Sequence, residues 1–77
     1  MAVGFDSVWV VDRQRDELVR IDPATGAEQA TVGVGEEPSD VAVGSEDVWV
    51  ANAGSRNVSR VTPEPGSERV ADTITVD

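Results

Sequence analysis

The sequence predicts an all-β chain made of two copies of one four-stranded antiparallel unit. Two segments recur at an offset of 40 residues, because Ala2-Val3-Gly4 matches Ala42-Val43-Gly44 and Val8-Trp9-Val10 matches Val48-Trp49-Val50. Fifteen of the 77 residues are valine, and β-branched side chains favour strands. No stretch keeps apolar residues at helical spacing for two turns, so no helix is predicted.

The repeat extends along the whole unit. After Gly66 the second copy has two extra residues, and Thr31–Val34 then aligns with Thr73–Val76. Matches in a constant order over a whole unit indicate a true internal repeat. The further matched pairs are Arg20 with Arg60, Pro23 with Pro63, Gly26 with Gly66 and Glu28 with Glu68.

Each copy is predicted to contain four short strands separated by turn residues. Asp22–Gly26 is the strongest turn signal, because proline presets φ, aspartate can bond its own backbone and glycine accepts a left-handed conformation. Residues 1–35 form the first unit, residues 36–40 a linker and residues 41–77 the second unit. The predicted strands are Ala2–Phe5, Ser7–Val11, Glu17–Ile21 and Gln29–Val34, then Val41–Gly44, Asp47–Ala51, Val58–Thr62 and Asp72–Val76.

The apolar pattern predicts how these sheets pack. Val8–Val11 and Val48–Ala51 are apolar without alternation, which is typical of strands buried on both faces. Alternation returns in Leu18–Ile21 and Val58–Val61, so the third strand is expected nearer the outside. Sheets stacked face to face around an axis make a β-propeller, and a four-stranded repeat of about 40 residues matches one blade.

Two blades cannot cover all of their own faces. They have four faces, of which only two can meet, so we predict that the chain completes a ring as a homo-oligomer. Rings of four to eight blades are typical; a trimer with six blades is favoured, and a tetramer with eight is the next alternative. The chain starts at an inner strand and stops at an outer one, which suggests an excised or engineered fragment of a longer propeller.

The residue inventory excludes several functions. The chain has no cysteine and no histidine, so disulfides, zinc sites and Ser-His or Cys-His catalysis are excluded, and no cofactor is expected. The net charge of −9 repels phosphate backbones, so nucleic acid is not an expected partner. No apolar run approaches the roughly 18 residues that span a bilayer, and no signal-peptide pattern is present.

Three segments carry a family resemblance: Glu37–Val43, Val48–Asn52 and Val58–Pro63. They resemble the YVTN-type blade, which is related to NHL and virginiamycin-lyase-like propellers. The resemblance implies the propeller fold but no single activity, because such blades serve many roles. It also implies a bacterial and extracytoplasmic parent, in some cases the sensor domain of a membrane-bound kinase. The chemistry of the lyase-like relatives is expected to need histidine and a metal.

One face of such a ring is usually the ligand face, and it is predicted to include the loops at 12–16, 36–40 and 52–57. A polar rim of this kind could hold an anionic ligand; the alternative is a set of solvated hairpins in which Asp12 and Asn52 bond their own turns. The candidate ligand-face residues are Asp12, Arg13, Arg15, Asp16, Asn52 and Arg56.

The two tryptophans are expected in the blade core, although exposed tryptophans could also act as sugar-stacking platforms. The predicted blade-core residues are Trp9, Trp49, Val8, Val10, Val48 and Val50. Taken together, the sequence predicts a non-catalytic structural and binding scaffold whose partner is itself. The alternatives are a fragment of a lyase-like propeller enzyme and an oligomeric lectin.

Overall fold

In the computed structural model, which describes residues 1–64 and 66–75, the chain forms two four-stranded antiparallel sheets. The strands of each sheet lie side by side in sequence order. The predicted all-β class and the two antiparallel sheets are therefore confirmed. No helix in the described part of the chain is long and apolar enough to cross a membrane. The strands are β1 (Ala2–Gly4), β2 (Ser7–Asp12), β3 (Glu17–Ile21) and β4 (Glu28–Gly33), then β5 (Pro38–Val43), β6 (Val48–Asn52), β7 (Asn57–Thr62) and β8 (Arg69–Thr75).

The main departure from the predicted boundaries is at the start of the second sheet. β5 begins at Pro38, so residues 38–40 of the predicted linker are strand. Pro38 pairs with Asn52, and a bulge separates it from Asp40. Proline is tolerated there because the first residue of an edge strand is not required to donate a ladder hydrogen bond. The predicted ends of the last strand and of the second unit, at positions 76 and 77, lie outside the described residues.

Turn chemistry explains where the strands of the first sheet end. Phe5 and Asp6, between β1 and β2, both have positive φ (51° and 56°), as a tight two-residue hairpin requires. In the next outer turn, Asp22 accepts a hydrogen bond from the Ala24 amide at 2.8 Å. Gly26 has φ 75° and donates to the Asp22 carbonyl at 2.8 Å. The predicted roles of Asp22 and Gly26 are confirmed.

Alternation along the strands gives each sheet two faces, and the repeat makes these faces equivalent between the sheets. We define the tryptophan face as Ala2, Trp9, Val11, Leu18 and Arg20 in the first sheet and as Ala42, Trp49, Ala51, Val58 and Arg60 in the second. We define the valine face as Val3, Val8, Val10, Val19 and Ile21 in the first sheet and as Val43, Val48, Val50, Ser59 and Val61 in the second.

The sheets pack with the tryptophan face of the first against the valine face of the second. β1 and β2 lie against β5, and β4 lies against β8. Gly4 permits this close approach, because a Cβ there would collide with the side chain of Val43. Among the described residues, no second sheet packs on the valine face of the first sheet or on the tryptophan face of the second, and we call these the open faces. The buried apolar core consists of Trp9, Leu18, Val32, Val41, Val48, Val50 and Val61.

The third strand of the first sheet is more buried than its pattern predicts. Leu18, Val19 and Arg20 are all buried, although alternation favoured a position nearer the outside. Leu18 and Arg20 point at the second sheet, where Arg20 pairs with Glu68 in the turn before β8. Val19 points to the open valine face and is 9% exposed.

Candidate functional site

Residues 13–16, between β2 and β3, form the first tip loop, and residues 53–56, between β6 and β7, form the second. The first tip loop meets the inter-sheet segment, residues 34–37, at one end of the molecule. Asp16 is the central residue of this contact. Its carboxylate accepts a hydrogen bond from the Glu37 amide at 3.0 Å, and its carbonyl accepts one from the Val34 amide at 2.9 Å. Asp16 has φ 55°, a left-handed conformation that aspartate tolerates better than most residues. Asp16 therefore holds the inter-sheet segment and is not a free rim carboxylate.

The second tip loop binds the same segment from its other side. The Gly54 amide donates to the Glu36 carbonyl and the Ala53 amide to the Glu37 carbonyl, each at 3.0 Å. The Ser55 hydroxyl accepts a hydrogen bond from the Glu36 amide. The backbone groups of residues 36 and 37 are thus hydrogen-bonded to both tip loops, so this end of the molecule has a defined shape.

The remaining rim candidates divide into a capping residue and exposed arginines. Asp12 accepts hydrogen bonds from the amides of Gln14 at 3.1 Å and Arg15 at 3.3 Å. Asp12 therefore bonds its own turn, as expected for a solvated hairpin. Arg13, Arg15 and Arg56 are exposed. The two ion pairs among the described residues involve other arginines, so the rim arginines point into solvent, where an anion could meet them.

Asn52 is the one rim candidate that lies inside the molecule. Its side chain is 1% exposed, and Nδ2 donates to Asn57 Oδ1 and to Ser59 Oγ, each at 2.9 Å. The main chain of Gly35 lies against this pair. Asn52 therefore joins neighbouring strands, and it is not part of the polar rim. The pattern could not reveal this, because its counterpart Asp12 is a surface cap.

The predicted blade-core residues have two different environments within one chain. Trp9, Val48 and Val50 are fully buried at the sheet junction, and the Trp9 indole donates to the Gly4 carbonyl at 3.1 Å. Trp49, Val8 and Val10 are only half-buried, because they lie on the two uncovered faces. Trp49 lines a shallow hollow of about 130 Å³ together with Ala42, Ala51 and Val58.

The residue that sequence reasoning missed is Arg20. It is 6% exposed, and its guanidinium carbon lies 5.0 Å from the centre of the Trp9 ring. Nε donates to Ser7 Oγ at 2.6 Å and Nη2 to the Phe5 carbonyl at 2.9 Å. Nη1 donates across the junction to the Pro63 carbonyl at 2.8 Å and to Glu68 at 3.1 Å. The signal was present, since arginine, proline and glutamate recur at the 40-residue offset.

The sheet junction also forms a cleft, and a metal site would usually need a cluster of acidic, histidine or cysteine side chains. The described residues contain no cluster of three or more such side chains that could hold a metal ion. An open cleft of about 530 Å³ at the sheet junction is lined by Phe5, Ser7, Gln29 and the Arg20–Glu68 pair. Arg20 and Glu68 are bonded to each other, and the lining also includes the charged residue Asp6.

Comparison with protein-family models found none that matches the chain, and comparison with curated proteins found no match either.

Proposed function

We propose that the chain is a non-catalytic β-propeller scaffold that assembles head to tail with copies of itself into a closed ring of blades. One observation carries the proposal: the chain pairs one tryptophan face with one valine face and leaves the complementary pair open. The open tryptophan face of one copy therefore matches the open valine face of another. Because the two surfaces differ, the contact is heterologous, and such contacts close into rings when the rotation allows it.

The exposed apolar side chains on the open faces support the proposal. Val3 on the open valine face is 68% exposed, and Ile74, opposite Val58 on the open tryptophan face, is 44% exposed. Their equivalents at the internal junction are less exposed: Val43, which corresponds to Val3, is half-buried, and Val32, which corresponds to Ile74, is 6% exposed. Apolar patches of a few hundred Å² usually mark interaction surfaces, and a second copy offers the surface that already fits inside the chain.

The number of copies follows from the blades needed to close the ring. Three chains give six blades and four give eight, both within the usual range, and we favour three. In the ring, the tip loops of all copies would face one way and present repeated exposed arginines such as Arg13, Arg15 and Arg56. Binding of an anionic ligand at this rim is the proposed second role. The resemblance to YVTN and NHL-like blades points to a bacterial, extracytoplasmic setting.

An oligomeric lectin is the alternative that one observation favours. Trp49 is half-exposed beside a shallow hollow, as a sugar-stacking platform would be. In the ring proposed here the same tryptophan is covered by the next copy. Saturable binding of a defined sugar that is lost in Trp49→Ala, with assembly unchanged, would favour the lectin.

Mass by light scattering at several concentrations tests the assembly. We expect a discrete species of three or four chains. Val8→Asp places a charge on the open valine face and should give monomers that keep their β-sheet signal in circular dichroism. Ala53→Asp adds the same charge at an exposed tip-loop position and should assemble normally. A wild-type chain that stays monomeric and unfolds cooperatively at micromolar concentration would overturn the proposal.

A further inference from the structure

Arg20 makes the polar contacts that join the first sheet to the second at the internal junction, where the two sheets of one chain pack together. It is anchored in its own sheet by Trp9 and Ser7 and binds the outer turn of the second sheet at Pro63 and Glu68. The apolar faces alone allow the sheets to slide, because valines resemble one another. A buried, directional set of hydrogen bonds fixes one register.

An arginine, a proline and a glutamate also occur at the two open faces, and the arginine and the proline match those of the internal junction in the repeat. Arg60 lies on the open tryptophan face beside Trp49, opposite it in the β6–β7 ladder. It is 37% exposed and pairs with Asp47 at 3.5 Å; Asp47 stands where the first sheet has Ser7. At the other open edge, Pro23 and Glu28 are exposed. Glu28 begins β4 opposite Ile21, and so lies on the open valine face.

We propose that Arg60 of one copy binds the Pro23 carbonyl and the Glu28 carboxylate of the next copy, and that this contact sets the direction and register of the ring. The inference rests on the proposed head-to-tail assembly and names the polar contact that selects it. Glu28, opposite Ile21, stands where the second sheet has Val70, opposite Val61. Glu28 therefore lies on the same face as the position of Glu68, about 7 Å further along the strand.

The contact also explains why assembly would run head to tail. If two tryptophan faces met, Arg60 of one copy would approach Arg60 of the other with Glu28 on the far side of each chain. Like charges that meet in an interface oppose association, and opposite charges steer it. The polar groups therefore disfavour a closed face-to-face dimer and favour the propagating contact.

Charge exchange tests the contact. Asp47→Ser serves as the reference background, because it copies Ser7 and prevents repulsion between Asp47 and a glutamate placed at position 60. In that background, Glu28→Arg alone and Arg60→Glu alone should each weaken association by about tenfold or more. The chain carrying both changes restores an opposite pair at every junction and should assemble like the reference. Arg13→Glu and Glu36→Arg, at the opposite end of the sheets, are the matched controls and should assemble normally.

Mixing the two single variants adds a second readout. A favourable pair forms only where the variants alternate around the ring, and alternation closes only with an even number of chains. If the wild type is a tetramer, mixing the two single variants should restore assembly fully. If it is a trimer, assembly should recover only in the doubly exchanged chain.

Circular dichroism of each variant confirms folding. If the reference assembles and both single variants assemble equally well, the contact is wrong while the ring proposal stands. If the reference and the wild type are both monomeric, the ring proposal itself fails.

Discussion

Arg20 of the first sheet and Glu68 of the second form an ion pair of 3.1 Å whose side chains are only 7% and 6% exposed. Removing two charges from water is costly, and their attraction repays this only with good geometry and further hydrogen bonds. Arg20 has those bonds, to Ser7, to the Phe5 carbonyl and to the Pro63 carbonyl. The pair therefore fixes how the two sheets meet, while the apolar core supplies the attraction.

Glu68→Gln should destabilise the fold strongly. It leaves the Arg20 guanidinium buried without its counter-charge, and breaking a buried pair in this way costs about 3–5 kcal/mol. Urea denaturation at a concentration where the chain is monomeric would measure the loss. Glu64→Gln removes an exposed glutamate of the same turn and is the control, with an expected change within about 0.5 kcal/mol. Equal effects of the two substitutions would contradict the role of the pair.

The two tryptophans should respond differently to the same substitution. Trp9→Ala removes a fully buried side chain and should lower the free energy of unfolding of a single chain by about 3–5 kcal/mol. Trp49→Ala acts on an uncovered face, so its main effect should be loss of the oligomer. Denaturation of dilute samples and light scattering of concentrated samples separate these effects. Normal assembly of Trp49→Ala would show that Trp49 does not pack between copies.

The repeat was sufficient to predict the two sheets, because turn residues and apolar runs act locally. The environments of Trp9 and Trp49 could not be predicted in the same way. The strand segments that contain them are apolar on both faces, so the sequence pattern does not show which face the other sheet covers. That choice depends on how the chain passes from the first sheet to the second. The burial of Arg20 was also hidden, because Leu18–Ile21 alternates like a half-exposed strand and Glu68 is 48 residues distant.

Gly35→Ala should destabilise the inter-sheet segment. A Cβ at Gly35 would lie 2.8 Å from Asn52 Cγ, from Asn57 Oδ1 and from Ser55 Oγ, so the partly buried Asn52–Asn57 hydrogen bond would have to shift. Overpacking of this kind costs about 1–3 kcal/mol. Gly33→Ala is the matched control, because a Cβ there meets nothing within 4 Å. Thermal denaturation should show a clear loss for Gly35→Ala and little or none for Gly33→Ala; similar curves would argue against the close approach.

Salt should strengthen the proposed ring. Each chain carries a net charge of −9, so copies repel one another, and raising the ionic strength from about 10 mM to 150 mM shortens the screening length from about 30 Å to 8 Å. The proposed Arg60–Glu28 contact between copies would oppose this trend, but a partly buried pair is screened less than exposed charges are. We therefore expect the melting temperature of the oligomer to rise with salt over that range.

The double variant Glu36→Gln, Glu37→Gln removes two of the nine net negative charges, and its melting temperature should depend less on salt. A melting temperature that falls steadily with salt would show that ion pairs between copies outweigh net repulsion.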